Sequence, residues 1–246
     1  MKISVITATW NSALTIIDTI KSLNAQDYSD IEYIIIDGAS TDATLDIINL
    51  YGHRVTAIVS EKDNGIYDAL NKGIALATGD VVGFLHSDDL FADDRVLSRI
   101  AEEFCKGPTG AVYGDLNYVS KYDTTKIIRR WIGGSFKRGR FRNGWMPPHP
   151  TFYMRREHYL SLGSFDLKFS IAADYDSMLR YLWTNNISVA YIPRVFVNMR
   201  VGGKSNGSLV NIFNKTREDK MAMIENGISP IRGLLFKNLS KIQQFF

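Results

Sequence analysis

The chain has 246 residues, 45% hydrophobic and 22% charged, which is ordinary for a soluble globular protein and long enough for one large domain. The single cysteine, Cys105, excludes an internal disulfide and a cysteine-rich metal site, and no segment reaches the roughly 18 apolar residues of a membrane span. The N-terminus runs straight into a strand-like pattern without the apolar core of a signal peptide, so we expect a reducing, cytoplasmic location.

The net charge of +3 is distributed unevenly. Residues 1–115 carry 8 Lys and Arg against 18 Asp and Glu, a balance of −10, whereas residues 116–246 carry 21 against 8, a balance of +13. Part of this difference reflects surfaces that attract each other within one fold. A difference this large also indicates an anionic partner for the second half: a phosphate, a membrane surface or a nucleic acid.

Strand and helix patterns alternate along the first half of the chain. The first predicted helix follows a cap at Asn11 and Ser12 and has apolar residues at helical spacing from Leu14 onward. The third covers 65–77, with Gly79 as its C-terminal cap. The second helix starts at 40–42, and the predicted strands are the apolar runs 3–6, 33–36, 55–59 and 81–85. Repeated strand–helix units predict an α/β fold with a mostly parallel central sheet flanked by helices.

The second half of the chain has a more mixed pattern. Residues 111–119 and 126–132 are predicted strands, and 133–148 form a loop long enough to indicate a functional segment. Residues 174–184 are a predicted helix and 187–197 a predicted strand.

Polar residues follow each of the four predicted strands of the first half. Because ligands of open parallel sheets bind at the carboxyl ends of the strands, we expect these residues to share one rim. They are Thr7, Thr9, Asn11, Asp37, Glu61, Asp63, His86, Asp88 and Asp89. The adjacent carboxylates of Asp88 and Asp89 have two interpretations: a hydrated turn that caps the next helix, or a site for a divalent cation and the anion it carries.

Five segments together resemble the nucleotide-binding half of family-2 glycosyltransferases, in the order and at the spacing of that family. They are V-I-T-A-T-W-N (5–11), I-I-D-G-A-S-T-D-A-T (35–44), D-N-G-I-Y-D-A-L-N-K-G-I (63–74), A-T-G-D (77–80) and F-L-H-S-D-D (84–89). The resemblance is strong over residues 1–105 and continues more loosely to residue 205. It implies the Rossmann-like GT-A fold, a nucleotide-sugar donor, usually a UDP-sugar, and inversion at the anomeric carbon.

The resemblance also implies roles for individual residues near the donor. Asp88 would be the metal-binding carboxylate of the family's Asp-X-Asp motif, with Asp89 beside it and His86 where the first Asp usually stands. Neutral imidazole is a poorer ligand for Mg²⁺ than for Mn²⁺. Because His86 stands in the motif, its sequence does not decide which of these two ions is the cation. Gly38 stands where the family often has a second Asp. The donor-binding residues implied are Thr7, Ala8, Thr9, Asn11, Asp37, Asp63, Lys72, Ser87, Asp88 and Arg200.

Residues 172–176 resemble the family segment that carries the general base. An acidic pair is common there, and Ala173 replaces its first member, which leaves Asp174 as the candidate base. The chemistry requires a carboxylate that deprotonates the acceptor hydroxyl as it attacks the anomeric carbon. The alternative is that Asp174 only caps the helix that begins there.

Candidate acceptor-binding residues lie between 137 and 149. His149, in the rigid segment P-P-H-P-T, is expected to be exposed and to touch metal, diphosphate or acceptor, although a single histidine is more often structural. Trp145 could stack on a sugar ring or belong to the core. Arg138 and Arg140 could bind an acceptor diphosphate. The segment 200–205 could close over the donor diphosphate or form an ordinary glycine turn.

The last 16 residues, 231–246, have a basic and apolar pattern. This pattern predicts a helix that lies on an anionic membrane, or alternatively a terminal helix docked on the core. The basic residues are Arg232, Lys237 and Lys241, and the apolar stripe is Leu235, Leu239, Ile242 and Phe246. We therefore expect a nucleotide-sugar-binding half over 1–105, an acceptor-binding and catalytic half of the same domain over 106–205, and a membrane-associating helical tail over 206–246.

The leading interpretation is an inverting, metal-dependent glycosyltransferase on the cytoplasmic face of the inner membrane. It would transfer a sugar from a UDP-sugar to a polyprenyl-diphosphate-linked saccharide in O-antigen or capsule biosynthesis. The alternatives are a transferase with a soluble acceptor, and a nucleotide-sugar-binding protein without catalysis, since acids are missing at His86 and Ala173. No nucleic-acid partner is expected, because the aromatic and basic residues form no RNA-recognition pattern.

Overall fold

The computed structural model describes residues 1–202, 209–231 and 233. Its first half contains β1 (Ile3–Thr9), α1 (Ile16–Asn24), β2 (Ile31–Asp37), α2 (Thr44–Tyr51), β3 (Val55–Ser60), α3 (Ile66–Leu76), β4 (Val81–Phe84), β5 (Leu90–Phe91) and α4 (Val96–Cys105). The second half contains β6 (Ala111–Val119), β7 (Ile127–Trp131), β8 (Tyr153–Arg155), α5 (Arg156–Leu162), α6 (Ala173–Met178), β9 (Val189–Arg200) and α7 (Leu209–Glu225). A π-helical turn, Leu179–Thr184, continues α6, and two 3-10 turns cover Arg138–Asn143 and His149–Thr151.

The described strands form one mixed sheet in the order β3-β2-β1-β4-β8-β6-β9-β5, and β7 pairs with β6. The first four strands, β1 to β4, are parallel to one another where they pair. β6 and β9 are also parallel, whereas β5, β7 and β8 pair antiparallel with their neighbours. The predicted α/β fold is confirmed, and its antiparallel strands all lie at or beyond residue 90.

The two faces of the sheet bury separate layers of side chains. Because side chains alternate along a strand, Ile3 and Val5 of β1 pack in one layer, which includes Ile20 of α1. Ile6 packs in the other layer, which includes Leu70 of α3. Strands covered on both faces appear in the sequence as continuous apolar runs, which is why β1, β2 and β4 could be predicted.

The start of the first helix differs from the expectation. α1 begins at Ile16, and Leu14 is 93% exposed rather than part of its apolar face. Asn11 has a positive φ of 48°, and its side-chain oxygen accepts a hydrogen bond from the backbone N–H of Thr41 (2.8 Å). Asn11 thus joins two loops at the end of the sheet and does not cap the helix.

Gly79 was expected to cap α3, and this prediction is also wrong. The helix ends at Leu76, and a Cβ atom at Gly79 would lie 2.5 Å from the Ser4 hydroxyl oxygen and 2.8 Å from the Lys2 carbonyl oxygen. The glycine therefore allows the chain to pass close to β1 before β4 begins. No helix among the described residues is both long and apolar enough to span a bilayer.

A buried carboxylate ties β1 and β2 to the segment before β4. Glu32 accepts hydrogen bonds from the Ser4 hydroxyl and from both the backbone N–H and the hydroxyl of Thr78. Burial alone would raise the pKa of Glu32, but these bonds and the nearby Lys2 lower it to about 2. Glu32 therefore stabilises the fold fully above its unfolded pKa of about 4.5, and this contribution is lost as the pH falls towards 2.

We expect Glu32→Gln to lower the free energy of unfolding at pH 7 by about 2 kcal/mol, because a charged hydrogen-bond acceptor is lost. The difference from wild type should shrink between pH 4.5 and pH 2, as measured by urea unfolding. Glu102→Gln, at an exposed carboxylate, is the control. A destabilisation that stays constant over this pH range would contradict the role given to Glu32.

Candidate active site

The carboxyl ends of the parallel strands meet at one edge of the sheet, and their loops are hydrogen-bonded to each other. The backbone N–H of Gly38 donates to the Thr9 carbonyl (2.9 Å), and that of Glu61 donates to the Asp37 carbonyl (2.9 Å). The Thr7 hydroxyl donates to the Leu85 carbonyl (2.6 Å). The predicted rim therefore exists as one connected set of loops.

A cavity of about 300 Å³ opens at this rim beside Trp10 and Asp63. Trp10 is 52% exposed although it directly follows a buried strand. A Cβ atom at Gly38 would lie 2.6 Å from a carboxylate oxygen of Asp63 and 3.4 Å from Trp10. Gly38 thus leaves the space that Asp63 occupies. Trp10 was not among the donor-binding residues expected from the sequence. The signal for it was an aromatic residue in a polar loop at the end of a strand.

Two of the expected donor-binding residues lie beneath the cleft. Thr7 is fully buried, and its hydroxyl lies 3.1 Å from that of Tyr33 in addition to its bond to Leu85. Asp37 is fully buried and accepts hydrogen bonds from the backbone N–H of Ser40 (2.9 Å) and from the Ser60 hydroxyl (2.6 Å). Both side chains hold the loops in place and do not reach the surface of the cleft.

The other expected donor-side residues differ in exposure. Ala8 and Thr9 are buried at the end of β1, whereas Asn11 is exposed. The Ser87 hydroxyl lies 3.0 Å from the Ser12 hydroxyl. Lys72 forms ion pairs with Glu61 (2.7 Å) and Asp68 (3.6 Å), so its ammonium group already has two carboxylate partners. Lys72 therefore links the loop after β3 to helix α3 beside the cleft.

The two adjacent aspartates after β4 have different environments. Asp88 remains partly exposed at the rim, whereas Asp89 is 1% exposed, and its carboxylate oxygens have no hydrogen-bond partner in the described part of the chain. Burial, and then the neighbouring Asp88, raise the pKa of Asp89. The metal-binding role expected for Asp89 would require this buried carboxylate to become accessible.

Arg200 holds the Asp88 loop from the other half of the chain. Its guanidinium donates to the Asp88 carbonyl (2.8 Å) and forms an ion pair with Asp18 of α1 (2.5 Å). The side chain is buried. Arg200 is therefore fixed against the loop beneath the cleft and does not form a cover over it. Lys204 and Ser205, expected in the same basic segment, lie outside the described residues.

His149 is buried, which corrects the expectation that it is exposed. The 3-10 turn directs its ring inward, where it stacks on Phe84 (centroids 5.9 Å apart) and meets the edge of Phe165 (6.0 Å). The ring of His86 lies 5.9 Å from that of His149. Desolvation by the surrounding protein lowers the pKa of both, and with the effect of His149 the pKa of His86 is about 4. Both imidazoles are therefore neutral near pH 7.

Asp174 lies at the start of α6, close enough to both imidazoles to oppose the lowering of their pKa. One of its carboxylate oxygens accepts a hydrogen bond from the backbone N–H of Tyr175 (2.8 Å) and lies 3.3 Å from the Tyr67 hydroxyl. That hydroxyl is only 2.7 Å from the Ile171 carbonyl, and a phenol has a single hydrogen to donate. The closer carbonyl is therefore its acceptor. Burial and the nearby Asp174 raise the pKa of Tyr67.

The arginines expected to bind acceptor make contacts within the protein. Arg138 donates to the Trp183 carbonyl (3.0 Å) and lies over its ring at 4.8 Å. Arg140 donates to the Gly133 carbonyl (3.1 Å) and lies 4.1 Å from the ring centroid of Trp145. Arg138 keeps exposed surface, whereas Arg140 and Trp145 are half-buried. Arg140 and Trp145 therefore shape the 133–148 loop together.

The described residues contain no group of three His, Cys, Asp or Glu side chains placed to share a cation. Asp88 offers a partly exposed carboxylate at the rim, and the Nδ1 atom of His86 is buried and has no hydrogen-bond partner within these residues. A carboxylate and an imidazole fit a divalent cation whose remaining ligands are phosphate oxygens and water.

The fold matches that of solved GT-A glycosyltransferase structures. *S. aureus* TarS superposes with a TM-score of 0.68 at 17% identity over 100% of this chain and 43% of that one. TarS 1–349 in complex with UDP-GlcNAc gives 0.66 at 17% identity, covering 96% and 70%. The mannosyltransferase PcManGT of *Pyrobaculum calidifontis*, in complex with GDP-Man and Mn²⁺, gives 0.62 at 18% identity, covering 98% and 80%. The GT-A fold expected from the motifs is confirmed.

The sequence comparison defines the family. The model of the family "Glycosyl transferase family 2" matches residues 4–163. The PGL/p-HBAD biosynthesis glycosyltransferase of *Mycobacterium tuberculosis* is 32% identical over 213 residues, which cover 82% of this chain and 78% of that protein. The chain belongs to glycosyltransferase family 2, as the motifs indicated.

Proposed function

We propose that this glycosyltransferase transfers a sugar, with inversion, from a nucleotide sugar to a hydroxyl group of a lipid-linked saccharide, with Asp174 as general base. The observation that carries the proposal is the position of Asp174. Its partly exposed carboxylate lies 3.3 Å from the Tyr67 hydroxyl and is close enough to the paired rings of His86 and His149 to act on the pKa of both.

The cavity beside Trp10 suits a nucleobase. The exposed indole of Trp10 offers a surface on which a base could stack, and the Asp63 carboxylate beside the cavity offers a hydrogen-bond acceptor. Solved relatives in fold bind UDP-GlcNAc and GDP-Man, so a nucleotide-sugar donor is supported, and we favour a UDP-sugar on family grounds. Asp88 and His86 would hold Mn²⁺ or Mg²⁺, and a cation bound there would supply positive charge to stabilise the leaving diphosphate.

The proposed reaction is one displacement at the anomeric carbon. A carboxylate oxygen of Asp174 takes the proton of the acceptor hydroxyl while the hydroxyl oxygen forms the new glycosidic bond. The bond from the anomeric carbon to the diphosphate oxygen breaks, and its electron pair leaves with the nucleoside diphosphate. Attack from the face opposite the leaving group inverts the anomeric configuration. The bond from the Tyr175 N–H orients the carboxylate of Asp174.

We expect Asp174→Asn to lower kcat by about 10²–10⁴-fold, because an amide cannot accept the proton. UDP release from UDP-glucose, UDP-galactose and UDP-N-acetylglucosamine, with water as acceptor, measures this loss, and UDP affinity should stay within twofold. Asp46→Asn, at an exposed carboxylate of α2, is the control. Wild-type turnover by Asp174→Asn would exclude Asp174 as the base.

The β6–β7 hairpin supports a lipid-linked acceptor and a membrane surface as partner. Ile128 and Ile132 are 49% and 67% exposed, and Arg130 lies between them on the same face of the hairpin. On the opposite face, Arg129 packs on the ring of Tyr118 at 3.6 Å. The outward face thus combines apolar side chains with positive charge, as surfaces that bind anionic lipid do.

The hairpin lies next to the candidate active site. Val119 at the end of β6 pairs with Arg200, the residue that contacts the Asp88 loop, and accepts a hydrogen bond from the backbone N–H of Val201 (3.0 Å). A membrane under this hairpin would bring a lipid-linked acceptor to the rim. We propose that such an acceptor belongs to O-antigen or capsule biosynthesis. The tail residues Leu235, Leu239, Ile242 and Phe246 lie outside the described residues.

We expect the double variant Ile128→Ser/Ile132→Ser to bind vesicles of phosphatidylglycerol and phosphatidylethanolamine about tenfold more weakly, since it removes two exposed apolar side chains. Vesicle co-sedimentation measures the change. Leu14→Ser/Leu160→Ser, at exposed leucines elsewhere, is the matched control. Equal binding by both double variants and wild type would exclude the hairpin as a membrane contact.

A further inference from the structure

The segment just before α6 is held by a carboxylate from the C-terminal helix. Glu218 of α7 accepts hydrogen bonds from the backbone N–H groups of Ser170 (3.1 Å), Ile171 (2.8 Å) and Ala172 (2.9 Å). It also accepts one from the Ser170 hydroxyl (2.7 Å). Four donors from three consecutive residues therefore converge on one side chain more than 40 positions away in the sequence.

These bonds keep Glu218 ionised. Burial of the carboxyl group acts to raise its pKa, but the hydrogen bonds from Ser170, Ile171 and Ala172 outweigh burial and hold the pKa below its usual value. Hydrogen bonds to a charged acceptor are shorter and stronger than neutral ones. The contact thus fixes the backbone of residues 170–172 more firmly than a neutral side chain would.

α7 is anchored on α6 at its other end as well. The side-chain amide of Asn226 donates to Asp176 (3.0 Å), and the indole N–H of Trp183 donates to the Asn226 carbonyl (3.1 Å). Between these contacts, Ala222 and Met223 are fully buried. Glu218 therefore belongs to a helix whose position is set independently by packing.

The segment that Glu218 holds leads directly to Asp174. Ala172 is two residues before Asp174, and the Ile171 carbonyl accepts the Tyr67 hydroxyl, whose oxygen is 3.3 Å from the Asp174 carboxylate. The backbone at Ile171 is thus fixed on its N–H side by Glu218 and on its carbonyl side by Tyr67. A shift at this point would move Asp174.

We infer that Glu218 is a positioning residue for the transfer reaction: through residues 170–172 it aims the carboxylate of Asp174 at the acceptor hydroxyl. The inference rests on the proposed role of Asp174 as base. Displacement of a reacting group by about 1 Å can cost about 10²-fold in rate, so the contact affects kcat even though Glu218 touches no substrate.

The test uses Glu218→Ala and Glu218→Gln in the full chain, with UDP release from the UDP-sugars named above and water as acceptor. We expect Glu218→Ala to lower kcat about 10–100-fold, with KM for the UDP-sugar within twofold. Glu218→Gln, which keeps one acceptor oxygen, should recover part of the loss. The control is Glu225→Gln, on the same helix as Glu218, which removes the ion pair between Glu225 and Lys168. This variant should keep wild-type kcat.

A double variant separates positioning from a general structural effect. If Glu218 acts through Asp174, adding Glu218→Ala to Asp174→Asn should lower kcat no further, because the base is already absent. Hydrogen exchange of the Ile171 and Ala172 amides should accelerate in Glu218→Ala, which reports the released segment without an activity assay.

Any of three results would overturn the inference. The first is a kcat of Glu218→Ala within threefold of wild type. The second is a kcat of the double variant that falls 10–100-fold below that of Asp174→Asn, and the third is unchanged exchange of the Ile171 and Ala172 amides in Glu218→Ala. If Glu218→Ala fails to fold, Glu218→Gln carries the same comparisons. Full activity of Asp174→Asn would instead refute the proposed base, and this outcome is distinct from failure of Glu218 alone.

Discussion

The buried guanidinium of Arg200 ties the loop after β4 and helix α1 to the end of β9 in the second half of the chain. A buried charge requires partners, and Arg200 has Asp18 from α1 and the Asp88 carbonyl from the loop after β4. β9, which ends at Arg200, pairs with both β6 and β5. Through Arg200, the strand between β6 and β5 thereby also holds the loop that presents Asp88 at the rim.

Under the proposed function, the two halves of the chain would have separate tasks. The family model matches residues 4–163, which include the cavity beside Trp10 and Asp88. Asp174 and Glu218 lie beyond that match, on α6 and α7. Donor recognition would therefore depend on the matched part, whereas the position of the proposed base depends on a helix near the C-terminus. Gly38 stands where the family often has a second Asp. Its lack of a side chain suits this chain, because Asp63 fills the space that a Cβ atom would need.

The sequence predicted the four parallel strands of the first half and their shared rim because both depend on local pattern, whereas the short strands β5 and β8 were not predicted. Continuous apolar runs mark strands buried on two faces, and polar residues after parallel strands must meet at one edge. The misjudged features depend on contacts between distant residues. His149 is buried by Phe84 and Phe165, and Glu218 binds a segment near residue 171, which no local spacing can reveal. Trp10 followed a strand visibly, but its exposure depends on the neighbouring loops.

The most direct test of a nucleotide-sugar site at this rim is calorimetric titration with UDP and GDP, each with and without Mn²⁺. It compares wild type with Trp10→Ala and Asp88→Ala. We expect UDP binding that Mn²⁺ strengthens, about tenfold weaker binding in Trp10→Ala through lost stacking, and no Mn²⁺ effect in Asp88→Ala. Absence of binding to either nucleotide, or binding that neither substitution changes, would contradict the placement of the donor at this rim.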